Sequence, residues 1–411
     1  MGKIEHLVIV GGCGHVGLPL GIALAARGLQ VTLLDVDRAK VEQINGGEMP
    51  FLENGADALL AKVIGKTLRA SQDAGCLENA DAVVTVVGTP VDRHLNPNVN
   101  EIYASLDETL GRMKDGALLV LRSTVYPGVT QLVYERIRAR GKRIHLAFCP
   151  ERIAEGHALE ELSALPQIVS AFEEEAVARA SEVFRLLTPK IVTLQPVEAE
   201  LAKLFTNSWR YLNFAISNQF YILAESYGLD FYRIYDAVTR DYPRMKNFAK
   251  PGFAAGPCLL KDTLQLGAFA RNNFFLGHAA MLINEGLPNF LVDQLRRTGL
   301  SKLRVAILGM AFKAESDDIR ESLSCKLKNL LKVEAAEVLC ADPYVKDPTL
   351  VAAEAAVERA DVVILGAPHA AYRNLAIPED KIVIDIWNFW PQRQTPHAAA
   401  PNTPQFTQAG R

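Results

Sequence analysis

Gly12-Cys13-Gly14-His15-Val16-Gly17 follows an apolar, β-branched run at residues 4–10 (IEHLVIV) and opens an apolar-periodic stretch that reaches Arg27. A GxGxxG turn between a strand and a helix lets the backbone approach a pyrophosphate at the helix's positive end. Asp35 ends the next β-branched run, 18 residues beyond Gly17 (35 − 17). A carboxylate there suits the hydroxyls of an adenosine ribose and repels a 2′-phosphate, which favours NAD over NADP. The bland alternative is a tight turn with a solvated acid. Lys203 and Asn207 lie four apart, on one face of a helix. Together, an ammonium and an amide can hold a substrate oxygen and stabilise charge as an alcohol is oxidised. Alone, that spacing is usually a solvated face, because lysine is mostly exposed. Cys258 stands in Ala255-Gly-Pro-Cys-Leu-Leu-Lys-Asp262. A fixed loop with a nearby cation favours thiolate, the nucleophilic form. Taken by itself, a cysteine more often packs as a small hydrophobe.

These residues need a frame to hold them. Residues 31–34, 82–87, 117–121, 144–148, 167–170 and 191–194 read as further strands, with helices at about 101–113, 129–139 and 173–187 between them. Strands rich in Val, Ile and Leu that alternate with helices imply a parallel sheet covered on both faces. Thr89-Pro90 and Ser123-Thr124 follow two of these strands, where open α/β sheets bind ligands. Hydroxyls at such ends also cap helices, and spacing alone leaves both roles open. From Val197 to Tyr227 there is neither Pro nor Gly. Such a helix would span roughly 45 Å. Gly228 suits its end and Asp230 suits the cap of the next helix. Its broad apolar stripe implies burial on more than one side, as a domain spine or a subunit interface. More helix is expected over about 262–298, and then strands return at 303–308, 337–339, 362–365 and 382–386. The fold class expected is α/β, with two Rossmann-like parallel-sheet domains joined by a central helical domain. Boundaries fall near 1–195, 196–300 and 301–390, followed by a disordered tail at 391–411.

The second α/β unit opens Leu308-Gly-Met-Ala-Phe-Lys313, without GxGxxG. Such a turn could stack a base or sugar and pair with a phosphate; otherwise it is a decayed duplicate used for packing. With 44 Lys+Arg against 47 Asp+Glu, the net charge of −3 argues against a nucleic-acid partner. Six cysteines without a CxxC pair read as reduced thiols of a cytoplasmic protein, and the His and Cys spacings imply no metal site. No apolar run reaches the ~18 residues of a membrane span, and the start lacks a signal peptide's plan.

In this order, GGCGHVGLPL (11–20), VVGTP (86–90), RSTVYPG (122–128), CPERIAEG (149–156), EAELAKLFTN (198–207), GPCLLKD (256–262) and LGMAFKAESDDIRES (308–322) resemble the UDP-glucose/GDP-mannose dehydrogenase family. The resemblance runs from residue 4 to about 390. It implies oxidation of C6 of a nucleotide-linked sugar from alcohol to carboxylate, with two NAD consumed and the aldehyde retained. It makes Cys258 the nucleophile and gives the C6 oxygen to Lys203 and Asn207. Asp262 would orient Lys203 or a water, Thr124 would hold a water, and Glu151 would be the base of thioester hydrolysis. Gly12, Gly14, His15, Val16, Gly17, Asp35, Lys40, Thr89, Pro90, Ser123, Glu155, Lys261 and Arg320 would meet NAD. Arg152, Phe253, Gly256, Phe312 and Lys313 would meet a UDP-linked sugar. The family pairs subunits through its central helical domain, so a homodimer is expected. Pro150-Glu151-Arg152 and Leu165-Pro-Gln-Ile168 resemble members that act on N-acetylhexosamines. Lys261-Asp262 after the cysteine resembles the glucose group, and Ala255-Gly-Pro257 matches neither. Arg244 is out of register for the arginine that the family takes from a partner subunit.

Overall fold

β-Branched and aliphatic runs of four or five residues become strands, and the 3.6-periodic stretches between them become the covering helices. The computed structural model describes residues 3–87, 99–254, 256 and 258–390. Thr89, Pro90 and the expected tail lie outside the described residues. Two units emerge: Met1–Thr206 with Gln265–Asn272, and Asn207–Leu264 with Asn273–Arg411.

The first unit holds an eight-stranded sheet. Its strands are β1 (His6–Val10), β2 (Gln30–Leu34), β3 (Leu68–Ser71), β4 (Ala82–Thr85), β5 (Leu118–Leu121), β6 (His145–Phe148), β7 (Gln167–Ala171) and β8 (Ile191–Leu194). The order is β3-β2-β1-β4-β5-β6-β7-β8. Every pairing is parallel except β6 with β7. Apolar clusters cover both faces: Leu7, Ile9 and Leu18 on one, Val8, Leu119 and Val133 on the other. The sequence reading misses β3, because Leu-Arg-Ala-Ser alternates buried and more open residues at the sheet edge and makes no apolar run.

In the second unit, β9 (Arg304–Leu308), β10 (Glu337–Ala341), β11 (Val362–Leu365) and β12 (Ile382–Ile384) pair in parallel in the order β10-β9-β11-β12. The expected helix over 262–298 is two helices, Leu259–Phe269 and Phe275–Arg296. Arg271 and Asn272, both at positive φ, turn the chain between them.

The long helix runs Pro196–Ser226. Gly228 (φ +68) ends it: the Gly228 N–H donates to Glu225 O and the Leu229 N–H to Ala224 O, each at 3.0 Å. Asp230 caps the next helix, Phe231–Thr239, by accepting from the Tyr232 and Arg233 N–H groups. The chain itself covers more than one side of this long helix and leaves one apolar face open. Leu204 and Tyr211 are buried, but Phe205, Trp209, Ile216, Phe220 and Leu223 stand exposed at helical spacing.

Near the end of that helix, burial, with the Asp230 carboxylate beside it, pushes the Glu225 carboxyl up to about 7. The folded chain therefore keeps a proton that the unfolded chain gives up near 4.5. Folded stability falls as pH rises across that window. Glu225→Gln is expected to add about 1–3 kcal/mol above pH 7 and to change little below about pH 4.5, read by thermal melts at both ends. A variant no more stable than the parent at pH 8 would refute this.

Candidate active site

The turn after β1 is built for close approach. Gly11 (φ +75) and Gly12 donate their N–H groups to Leu34 O at 2.8 and 3.1 Å. A Cβ on Gly12 would stand 2.7 Å from Ile9 O, and one on Gly17 would stand 2.7 Å from the Gly12 Cα. Packing of the strand against the helix therefore demands both glycines. Gly14 differs, because a Cβ there would meet nothing nearer than Gly11 O at 3.9 Å. The protein itself does not need that glycine, so the bare backbone is open for a ligand. The helix Gly17–Ala25 begins with no side-chain cap, so no side chain of its own cap covers its positive end. Asp35 accepts from the Cys13 N–H at 2.9 Å and from the Asp37 N–H at 3.1 Å. Two donors leave the carboxylate with capacity for ribose hydroxyls. These residues fit a dinucleotide. Nearby, His15 lies over Phe51 with ring centroids 4.0 Å apart, and Lys40 Nζ is 3.7 Å from Asp37.

Beyond β5, Arg122 is 1% exposed. Its guanidinium pairs with Glu151, donates to Gln167 Oε1 at 3.0 Å and to Cys149 O at 3.3 Å, and lies 5.0 Å from the Phe184 ring centroid. Glu151 Oε1 accepts the N–H groups of Arg152 and Ile153 at 2.6 and 2.7 Å. The carboxylate is thus held in one pose. Arg152 donates to Pro166 O. Ser123 and Thr124 follow Arg122 directly, and Glu155 lies in the loop after Glu151. Sequence reasoning gave Arg122 no role, since its hydrogen-bond partners Cys149 and Gln167 lie 27 and 45 residues away.

Lys203 is 8% exposed and Asn207 4%. The solvated-face alternative for this pair is therefore wrong. Asn207 Nδ2 donates to Asp262 Oδ2 at 2.6 Å, and Asp262 is fully buried. Asp262 lies one turn into the helix that Cys258 precedes, and its N–H donates to Cys258 O at 2.9 Å. One amide proton of Asn207 is thus spent on Asp262, and the other is directed by it. Cys258 itself is exposed. It is not the buried hydrophobe of the bland reading. Three other cysteines are buried. Burial, with Asp35 beside it, pushes the Cys13 thiol up to about 12. Burial does the same to Cys149, and takes Cys340 to about 11.

The loop before Cys258 is pinned by Asn218, whose side chain donates to Gly252 O (3.0 Å) and accepts from the Gly252 N–H (2.8 Å). Phe253, expected against substrate, is 4% exposed in a core cluster with Leu287 and Leu291. Gly256 (φ +104) lies so close to Phe312 that a Cβ would stand 2.7 Å from the ring. The structure thus joins two expected substrate residues, and Lys313 Nζ lies 5.8 Å from the Phe312 ring centroid. Arg320 forms a bidentate pair with Asp318, and Lys261 is half-buried.

The second unit repeats the first turn with a different ending. Gly309 (φ +94) donates to Ala341 O at 2.8 Å, as Gly11 does to Leu34 O. Asp342 then occupies the place after β10 that Asp35 occupies after β2. It accepts from the N–H groups of Met310, Ala311, Tyr344 and Val345. His369, whose Nδ1 accepts from the Glu315 N–H, has Nε2 3.2 Å from the same carboxylate. Burial opposes the charge on Asp342, but the His369 hydrogen bond and the backbone donors outweigh it and hold the carboxyl down at about 2. Sequence reasoning missed Asp342; an acid directly after the run Glu337–Ala341 is the signal that could have found it.

Among the described residues no cluster of three or more His, Cys, Asp or Glu could hold a metal, and no helix is long and apolar enough to cross a membrane. Residues 6–188 match the model of the NAD binding domain of the UDP-glucose/GDP-mannose dehydrogenase family, 197–285 its central domain, and 306–392 its UDP binding domain. The UDP-N-acetyl-D-mannosamine dehydrogenase of Methanocaldococcus jannaschii is 28% identical over 408 residues, 94% of this chain and 93% of that protein. The solved structure of the UDP-D-ManNAc dehydrogenase from Pyrococcus horikoshii matches with a TM-score of 0.83 and 28% identity, over 90% of this chain and 91% of the other. That of a UDP-glucose dehydrogenase from Pyrobaculum islandicum matches with a TM-score of 0.84 and 26% identity, over 97% and 96%.

Proposed function

This chain belongs to the UDP-glucose/GDP-mannose dehydrogenase family, and from that premise we propose that it oxidises C6 of a UDP-linked sugar from alcohol to carboxylate. The cofactor is NAD, which accepts a hydride at each of the two oxidations. Cys258 carries the reading: an exposed thiol begins the helix on which buried Asp262 grips Asn207. Lys203, four residues before Asn207, supplies a buried cation.

Lys203 and the second amide proton of Asn207 hold the C6 oxygen and favour its alkoxide, the hydroxyl proton passing to the water held by Thr124, as the first hydride leaves. The Cys258 thiolate adds to the resulting aldehyde, and the new oxyanion is held by the same two groups. Loss of the second hydride gives a thioester. Water, giving one proton to Glu151, adds to that thioester and releases thiolate and the carboxylic acid, which gives up its own proton to solvent as carboxylate. Asp262 acts by aiming Asn207, and Thr124 holds a water.

We favour an N-acetylhexosamine as the sugar. Pro150-Glu151-Arg152 supports this, as do the UDP-N-acetyl-D-mannosamine dehydrogenases among the relatives. Phe205, Trp209, Ile216, Phe220 and Leu223 form an apolar face that suits a homodimer. A thiolate nucleophile suits a reducing cytoplasm.

The test is NADH release against UDP-GlcNAc, UDP-ManNAc, UDP-GalNAc, UDP-glucose, GDP-mannose and dTDP-glucose. Two NADH per sugar are expected from a UDP-linked member. One NADH with a free carbonyl product would identify a single oxidation of the β-hydroxyacid kind. Bound NAD with no NADH from any sugar would leave a dinucleotide sensor.

A further inference from the structure

The helix Val129–Ala139 starts from Gly128, a left-handed glycine (φ 100) with no side chain to cap it. Its first N–H groups need acceptors, which normally come from a Ser, Thr, Asp or Asn at the cap itself. Here the acceptor arrives from the long helix. Glu200 Oε2 accepts the Gly128 N–H at 2.6 Å. Glu200 Oε1 accepts the Thr130 N–H at 2.8 Å and the Thr130 hydroxyl at 2.6 Å. Glu200 is 1% exposed. Burying a carboxylate is costly unless its hydrogen bonds are made, and packing alone already joins these segments. Ala199 lies in the same apolar cluster as Val125 and Val129. A charge in that core is an expensive way to hold a helix, which points to precision as its purpose.

What the clasp joins gives the reason. Glu200 is three residues before Lys203, on the same helical face. Gly128 is four residues after Thr124, at the end of the loop that begins at Ser123. One side chain therefore ties the segment carrying the lysine to the segment carrying the threonine. We propose that Glu200 is a positioning residue, which fixes Lys203 relative to Thr124, so that the C6 oxygen on Lys203 keeps its place against the water on Thr124 in hydride transfer. The role in turnover rests on the function proposed above; the clasp itself does not.

Glu200→Gln tests it, because an amide presents an N–H to at least one of three donors. The parent and the variant would be compared with the sugar that the panel shows to be oxidised, protiated and dideuterated at C6. The variant is expected to lose roughly 10- to 100-fold in kcat, the cost of a misplaced reacting group. KM for NAD should stay within about twofold, and the deuterium isotope effect on kcat should rise as hydride transfer becomes limiting. A smaller folded fraction would lower kcat and leave the isotope effect alone, so that result overturns the proposal, as does an unchanged kcat. Should Glu200→Gln not fold, Thr130→Val removes one of the three donors and should shift kcat and isotope effect in the same directions. If the parent oxidises no nucleotide sugar, the functional reading fails. Hydrogen exchange at the Gly128 and Thr130 amides then judges the clasp: faster in Glu200→Gln supports it, unchanged rates refute it.

Discussion

Cys258→Ser is expected to lower carboxylate formation by roughly a thousand-fold or more while NAD still binds. A serine hydroxyl keeps the shape but is hardly ionised near neutrality, so it adds poorly to an aldehyde. The exposed position of Cys258 means that the exchange disturbs no core, which separates lost chemistry from lost folding. The stoichiometry should drop from two NADH per sugar to at most one. Carboxylate made at the parent's rate by this variant would overturn the thioester route.

Lys203→Ala carries the second largest effect, roughly 10²- to 10³-fold in kcat, the usual loss when one donor to a developing oxyanion is removed. Lys203 is 8% exposed and Asn207 is held by Asp262, so truncating the lysine leaves the amide without its neighbouring ammonium. Both oxidations should slow together, because the proposed route uses one pair of donors for the alkoxide and the thiohemiacetal oxygen. Rapid-mixing traces of NADH formation would show it: two phases slowed in parallel are expected. If only the second phase slowed, the lysine would have no part in the alcohol step.

Local pattern carried much of this molecule. The glycine turn, Asp35, the long helix with its Gly228 stop and the Asp230 cap are all short-range consequences of residue type, and each was legible. The edge strand Leu68–Ser71 was not, since two open positions hide its alternation. Nor was the burial pattern of the long helix, because a stripe of apolar residues does not say which of them the chain itself covers. In the site, residue types and spacing pointed to Lys203, Asn207 and Cys258, and the family resemblance pointed to Asp262. Their burial was invisible, and it reversed the reading of KxxxN as a solvated face. Arg122 and Glu200 escaped because their partners are distant in sequence: Glu200 reaches back 70–72 residues. No periodicity encodes a contact of that kind.

The acids that end β2 and β10 can be compared by what they have left to give. A carboxylate offers about four lone-pair sites. Asp35 has spent two, on the Cys13 and Asp37 N–H groups. Asp342 faces four backbone donors and His369. It is saturated, and an adenosine diol arriving there would find no acceptor to greet it. Two turns of common design thus differ in appetite: the first remains hungry for a ribose, and the second has fed on its own backbone. An enzyme that handles two nucleotides at once gains from this a sorting rule, with the cofactor drawn to one turn and offered nothing by the other.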